Sequence, residues 1–436
     1  MISTRTFIIY PYLKHLVTDK TTLHRSPELR IKEAVGLAHA ISLHVVDTLT
    51  VPLQNYTAAT LIGQGKVDEC THLFSILQIQ LVIVDAHLSP AQQRQLERIW
   101  QCKVIDRTAL ILEIFGARAR TQEGQLQVEL ASLEYQKSRL VRSWTHLERQ
   151  RGGRGFLGGP GETQKETDRR LLRERIYRIE QALEKVKSTR ALHRQARAIV
   201  PYPIVALVGY TNAGKSTLFN ALTDAQVVAQ DQLFATLDPT MRVVTLPSSK
   251  RVIVSDTVGF ISDLPTELVA SFRATLEEVV EAHLILHVRD VTHVETEQQN
   301  QDVIRILKDL NLEDKIRTSM IEVLNKVDLL PAWKHRFLIH KNARNAHMQV
   351  ALSALSKEGI SDLLTRIDAH LSQDYPVFHV RLDMALGRLL AWIYRHATVL
   401  KRQDKKKYTY LSVQMDEKTH AQLIDQTTKE KGFSFV

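Results

Sequence analysis

The chain has 436 residues, 44% hydrophobic and 24% charged, a length that suits two to four globular domains and a composition that excludes a disordered chain. No stretch approaches the roughly twenty apolar residues of a membrane helix, and Met1 to Lys20 lacks the layout of a secretory leader. Cys70 and Cys102 are too few for a zinc site or a disulfide framework, and with a net charge of +10 the expectation is a cytoplasmic protein with a polyanionic partner.

From residue 27 to about 115, helical and strand-like patterns alternate, which predicts a small α/β domain over residues 1–115. Ile31 to Ile41 reads as helix, Leu43-His44-Val45-Val46 as an apolar run, and Leu81 to Asp85 as a buried strand ending in an acid. Ser89 to Trp100 reads as a helix capped by Ser89, with Pro90 in its first position. Gly63-Gln64-Gly65-Lys66 is a fragment of a nucleotide loop without the final glycine or a preceding apolar strand, so it is read as a turn before a helix. That removes the ground for an ATP-driven RNA-unwinding activity in this region.

Leu126, Leu130, Leu133, Lys137, Leu140, Trp144 and Leu147 recur at alternating steps of four and three, as do Leu172, Ile176, Ile179, Leu183, Val186, Arg190 and His193. The spacing predicts two heptad helices, each about 40 Å long, folded back as an antiparallel hairpin over 116–198. Arg151 to Gly161, rich in glycine, forms the tip, and Thr163 with Glu166 offers a capping box for the second arm. Lys137 to Arg197 holds seventeen Lys or Arg against seven Asp or Glu, an excess of ten that equals the net charge of the protein. A solvated helix face is one reading of that charge; without a membrane anchor, the other is a nucleic-acid contact. In the tip, glycines permit close approach to a phosphate chain, Arg151 and Arg154 supply charge, and Phe156 offers a stacking face for unpaired RNA bases, unless the tip is only a flexible connector.

Residues 199–373 predict a nucleotide domain. The apolar run Ile204 to Val208 leads into Gly209-Tyr210-Thr211-Asn212-Ala213-Gly214-Lys215-Ser216-Thr217 and then into Leu218 to Leu222, the order strand, phosphate loop, helix. Glycines let successive N–H groups turn around phosphate oxygens at a helix N-terminus. Lys215 reaches the β- and γ-phosphates, and the Ser216 hydroxyl ligates Mg²⁺. Val252-Ile253-Val254 then ends in Asp256-Thr257-Val258-Gly259, where Asp256 holds Mg²⁺ through water and the Gly259 N–H meets the γ-phosphate. Between these motifs Thr236 is the first choice, and Thr240 the second, for a threonine that joins Mg²⁺ and the γ-phosphate and orders its loop.

A third strand, Ile321 to Leu324, delivers Asn325-Lys326-Val327-Asp328. The Asp328 carboxylate accepts from two guanine N–H donors, Asn325 braces the base and a neighbouring loop, and the Lys326 stem covers the base face, which selects GTP over ATP. Val350 to Leu355 places Ser353 and Ala354 where a backbone N–H meets guanine O6. Residues 374–436 predict a small α/β domain: a strand, a helix from Met384 to Thr398, a strand from Tyr408 to Val413 and a helix from Glu417. Lys401 to Lys407 reads there as a solvated hairpin with scope for a polyanion contact.

These runs resemble the HflX family of ribosome-associated GTPases, in the Obg–HflX branch of phosphate-loop GTPases. The resemblance is carried by Val141 to Gln150, the Gly152 to Thr167 loop, Thr167 to Leu172, Gly209 to Asn220, Asp231 to Thr240 and Asp256 to Ile261, and it loosens after Pro376. It implies a multidomain α/β protein that binds the large ribosomal subunit and its RNA, reaches toward the catalytic centre with residues 151–161, and in its GTP form splits stalled or stress-arrested ribosomes. An RNA-binding assembly or storage factor in which GTP only regulates binding is the alternative. A monomer off the ribosome is expected. Phe260 follows Gly259 where many GTPases keep a water-orienting glutamine, which predicts slow turnover by the free protein.

Overall fold

The computed structural model describes residues 4–15, 26–142, 160–197, 202–223, 234, 240–262, 278–344, 349–372, 376–405, 407–415, 417–427 and 432–435. Thr236, Trp144, Leu147, Arg151, Arg154 and Phe156 lie outside them. Three sheets organise the described chain.

The first is a four-stranded parallel sheet in the order β2-β1-β3-β4, built from β1 (Arg5–Leu13), β2 (His44–Leu53), β3 (Leu81–Val84) and β4 (Lys103–Asp106). One side packs Ile8, Ile83 and Ile105 against Leu37 and Phe115, and the other packs Phe7, Ile9 and Val82 against Phe74, Leu96 and Trp100. Helices cover both faces, as a parallel sheet requires. Ser89 caps the helix Pro90–Trp100 in a full capping box with Gln92, as its sequence predicts. Gly63 is the N-cap of Gln64–Leu77, the predicted turn before a helix.

The helices Gln122–Arg142 and Pro160–Arg197 pack along Leu126, Leu130, Leu133, Leu172, Ile176, Ile179 and Leu183, the heptad positions read from sequence. Arg175 Nε donates to Glu129 Oε1 at 2.8 Å across the seam. The second helix begins at Pro160, ahead of the Thr163 expected as its cap, because proline suits the first helical turn. Its 38 residues span about 57 Å, longer than the predicted arm. The first helix is docked on the amino-terminal domain through buried Asp106, which accepts from Tyr135 Oη at 2.8 Å and Arg139 Nη2 at 2.7 Å. Burial and the adjoining Asp106 carboxylate push the Tyr135 hydroxyl above its ordinary range.

The central sheet has six strands in the order β10-β9-β8-β5-β7-β6: β5 (Ile204–Gly209), β6 (Thr240–Thr245), β7 (Arg251–Asp256), β8 (Leu284–Asp290), β9 (Met320–Asn325) and β10 (Gln349–Ala351). Only β6 is antiparallel to its neighbour. Gly209, Asp256, Asn325 and Ala351 therefore all close strands at one edge, where open α/β sheets bind ligands. The third sheet, β12-β13-β11-β14, is antiparallel and comprises β11 (Val377–Asp383), β12 (Thr398–Lys405), β13 (Tyr408–Gln414) and β14 (Phe433–Phe435). It corrects the predicted carboxyl-terminal helix, which ends at His396, and turns most of the expected Lys401–Lys407 hairpin into a strand.

Candidate nucleotide site

The turn from β5 into the helix Lys215–Thr223 is shaped by two glycines. Gly209 passes so close to β8 that a Cβ would stand 2.2 Å from the Val288 carbonyl oxygen. Gly214, at φ +91°, would drive a Cβ to 2.2 Å from Asn325 Nδ2. Gly214→Ala is expected to lose at least about tenfold in GDP affinity, since left-handed strain of roughly 1–3 kcal/mol adds to the displaced asparagine. Titration with a fluorescent guanine nucleotide measures it, and unchanged affinity would remove this glycine from the site.

Lys215, Ser216 and Thr217 open the helix, where first-turn backbone N–H groups and the positive end of the helix dipole suit an anion. Lys215 Nζ donates to the carbonyls of Gly209 at 3.1 Å and Tyr210 at 2.9 Å. Burial pulls its pKa down to about 8 against an opposing pull from Asp256. Ser216 Oγ donates to Asp256 Oδ2 at 2.7 Å, bringing a hydroxyl and a carboxylate together at the strand edge. Gly259 lies beside them, with a Cβ there only 2.9 Å from Lys215 Nζ. Hard oxygen donors and a glycine-walled cradle fit Mg²⁺ with a triphosphate. Thr240 opens β6 opposite Asp256 in the ladder.

The base end is equally framed. Asn325 Nδ2 donates to the Ala213 carbonyl at 2.8 Å, and its Oδ1 accepts from the Ala354 N–H at 2.9 Å, so one buried side chain ties the phosphate loop to the Ser353–Ala354 turn. The Ala354 N–H, expected near guanine O6, is the one that Asn325 Oδ1 holds. Lys326, in left-handed backbone at φ 65°, forms an ion pair with Asp290 at 2.8 Å. Asp328 then stands exposed in the turn Val327–Leu329. Ser353 is fully buried, and its Oγ accepts from the Ser356 N–H at 3.1 Å.

Phe260 does not face the phosphates. Its side chain is buried with Ala206, Val208 and Val279, and its backbone bridges to the phosphate loop: Thr211 N–H donates to the Phe260 carbonyl at 2.7 Å, and Phe260 N–H to Gly209 at 3.1 Å.

Sequence reading misses the partner of this loop. Tyr210 turns its hydroxyl away from the phosphates, donates to Glu33 Oε2, and accepts from the Ser262 N–H at 2.8 Å. Glu33 also accepts from Ser262 Oγ at 2.8 Å and from Arg107, whose other nitrogen donates to Asp85 at 2.6 Å. Arg30 completes the cluster by donating to Ser262 Oγ and forming an ion pair with Asp85 at 3.7 Å. Burial would lower the Arg107 pKa, but Asp85 and Glu33 outweigh it and hold the guanidinium charged. Phe234 joins the same contact, edge-on to Phe115 at 4.7 Å. The amino-terminal domain thus grips the phosphate loop, the segment after Gly259 and Phe234. No local pattern announces it, because the partners lie up to 232 positions apart.

Sheet order, glycine-rich turn and base-end turn together define a phosphate-loop GTPase. Comparison with known proteins agrees. Family models described as GTP-binding GTPase N-terminal, GTP-binding GTPase Middle Region, 50S ribosome-binding GTPase and HflX C-terminal domain match residues 28–116, 118–197, 204–326 and 338–430. The chain is 47% identical over 385 residues to GTPase HflX of Magnetococcus marinus, covering 88% of each. It is 47% identical over 340 residues to GTPase HflX of Escherichia coli, covering 78% of each. It is 38% identical over 378 residues to Putative GTP-binding protein 6 of Homo sapiens, covering 85% of this chain and 71% of that one. The chain belongs to the HflX family of GTPases. Among the described residues no helix is long and apolar enough to cross a membrane.

Proposed function

We infer that the protein binds the large ribosomal subunit and, in its GTP form, separates stalled or stress-arrested ribosomes into subunits. The observation that carries this reading is the excess of ten cations between Lys137 and Arg197, equal to the net charge, in a stretch that includes the helix Pro160–Arg197, which packs on a helix docked to the domain that grips the nucleotide loops. The match of residues 204–326 to a model described as 50S ribosome-binding GTPase supports it. Residues 151–161 and the basic helices are the RNA contact, and the cytoplasm is where it acts.

In hydrolysis, water attacks the γ-phosphorus, the bond to the β–γ bridging oxygen breaks, and GDP and phosphate leave. Lys215 moves from the Gly209 and Tyr210 carbonyls onto the β- and γ-phosphate oxygens and balances the charge that gathers there, with N–H groups of residues 214–217 and Gly259. Ser216, Asp256 and Thr236 hold Mg²⁺, which when bound neutralises phosphate charge. Asp328 reads guanine N1–H and N2–H, and a backbone N–H of the Ser353–Ala354 turn reads O6. Phe260 is packed into the core, so the water-orienting group comes from elsewhere, and large subunits are expected to raise turnover at least about tenfold. Equal turnover with and without subunits would remove the ribosome from the catalytic cycle.

Sedimentation of ribosomes with the protein and GTP, a non-hydrolysable analogue or GDP tests splitting. Subunit separation with GTP or the analogue but not GDP is expected. Intact ribosomes throughout would favour the assembly or storage reading, and splitting by Lys215→Ala would reduce the nucleotide to a regulator.

A further inference from the structure

The carboxyl-terminal sheet has one covered face and one open face. From Val377 to Phe435 the elements run strand, helix, strand, strand, helix, strand, and the order β12-β13-β11-β14 puts the first and third strands at the centre. Val380, Leu382, Leu411 and Val413 pack with Leu389, Ile393 and Leu423, so both helices cover the same side. Strand alternation sends the intervening residues to the other side.

Register lays those residues out in rows. Lys405 stands opposite Tyr408, and Tyr408 opposite Asp383; Gln403 stands opposite Tyr410, and Tyr410 opposite Arg381; Lys401 stands opposite Ser412, and Ser412 opposite His379. His379, Lys401, Gln403 and Lys405 are exposed, whereas Tyr408, Tyr410 and Arg381 are half-buried. The Arg381 guanidinium lies 4.8 Å from the Tyr408 ring centre, and the Lys405 ammonium 5.7 Å from that of Tyr410. Asp404 sits on the opposite face, paired with Arg402 at 3.0 Å, which leaves Asp383 as the acid in these rows.

The geometry points to this open face as a binding site for unpaired RNA, with Tyr408 and Tyr410 stacking bases and Lys401, Lys405 and Arg381 holding phosphates. Two rings on one strand face are about 7 Å apart, room for successive unstacked bases. Aromatic groups on the central strands of a four-stranded sheet, with cations around them, take single strands because every base has a π-face, whereas a duplex keeps its bases stacked inside. The net positive rows complement a phosphate chain and disfavour an acidic edge. The site belongs to a different stretch of sequence from the glycine-rich segment 151–161 and rests on neither the nucleotide chemistry nor ribosome splitting.

Photocrosslinking of the full chain to a 4-thiouridine-containing oligouridine, with peptide mapping, tests it, because mapping separates this face from the basic hairpin. Crosslinks are expected in the peptide carrying Tyr408–Gln414. Their yield should fall at least about tenfold in Tyr408→Ala/Tyr410→Ala and stay within about threefold in Tyr408→Phe/Tyr410→Phe, which keeps the stacking rings. Lys401→Glu/Lys405→Glu changes only exposed side chains and is expected to cut the same crosslink, so the test stands even where the alanine pair unfolds the domain. Excess duplex RNA should not compete it away, and GTP turnover should be unchanged. Crosslinks confined to residues 137–197, an unaltered crosslink in both the alanine and glutamate pairs, or equal competition by duplex RNA would overturn the assignment.

Discussion

Asp328→Asn is expected to convert the protein from a guanine to a xanthine nucleotide enzyme. On the proposed reading, the wild-type carboxylate, an acceptor only, meets two adjacent N–H donors of guanine. An asparagine of the same shape presents a donor in place of one acceptor, so guanine meets one good bond and one donor–donor clash. Xanthine, with a carbonyl where guanine has its amino group, meets two good bonds. Sites built on buried polar pairing discriminate by roughly 10⁴–10⁵, and a reversal of that order is expected here. The frame is independent of the substitution: Asn325 is fixed between Ala213 and Ala354, and Lys326 is fixed on Asp290. The loss should therefore fall on base choice and not on folding. Competition of GTP and XTP for a labelled nucleotide measures it. Retained GTP preference would take Asp328 out of the base pocket.

The nucleotide loops were legible because their chemistry is local. Gly209 to Thr217, Asp256 to Gly259 and Asn325 to Asp328 are contiguous runs closing apolar strands, and spacing alone fixes which atoms converge. The heptad seam was legible for the same reason: Leu126 to Leu133 and Leu172 to Leu183 carry period and partner together. Two strands were not. Arg5–Leu13 contains Pro11, which argues against an interior strand, yet β3 pairs with β1 only as far as Ile9, so Pro11 has a neighbour on one side alone. Thr398–Lys405 is dense in charge and reads as solvent, but it is an edge strand, where charge is the usual guard against further pairing. Asn325 was expected to brace the base and a neighbouring loop, and its side chain does brace the loop, through the Ala213 carbonyl and the Ala354 N–H.

Disrupting the clasp on the nucleotide loops should cost stability and communication together. Arg107, Glu33 and Asp85 are a buried ionic set, with side chains 4%, 12% and 0% exposed. Arg107→Met keeps bulk but removes the cation that Glu33 and Asp85 share, leaving Arg30 as the ion-pair partner of Asp85, a change worth about 3–5 kcal/mol. A melting temperature lower by about 10 °C is the expected result. A second variant separates stability from signalling. Tyr210→Phe keeps the ring in the core but removes the hydroxyl that Glu33 and the Ser262 N–H share, at roughly 1–3 kcal/mol. Ser262 follows Gly259 by three positions, so any movement of Gly259 toward a γ-phosphate pulls on Tyr210, Glu33 and the helix Pro27–Ala40. In the unaltered protein, amide exchange in 27–40 and 107–118 should therefore differ between GDP and a GTP analogue. In Tyr210→Phe that difference should shrink while nucleotide binding persists. Tyr210→Phe and Glu33→Gln should also be non-additive by at least about 0.5 kcal/mol, since they remove the same bond. Additive effects and a nucleotide difference that survives in Tyr210→Phe would reduce the clasp to a passive interface.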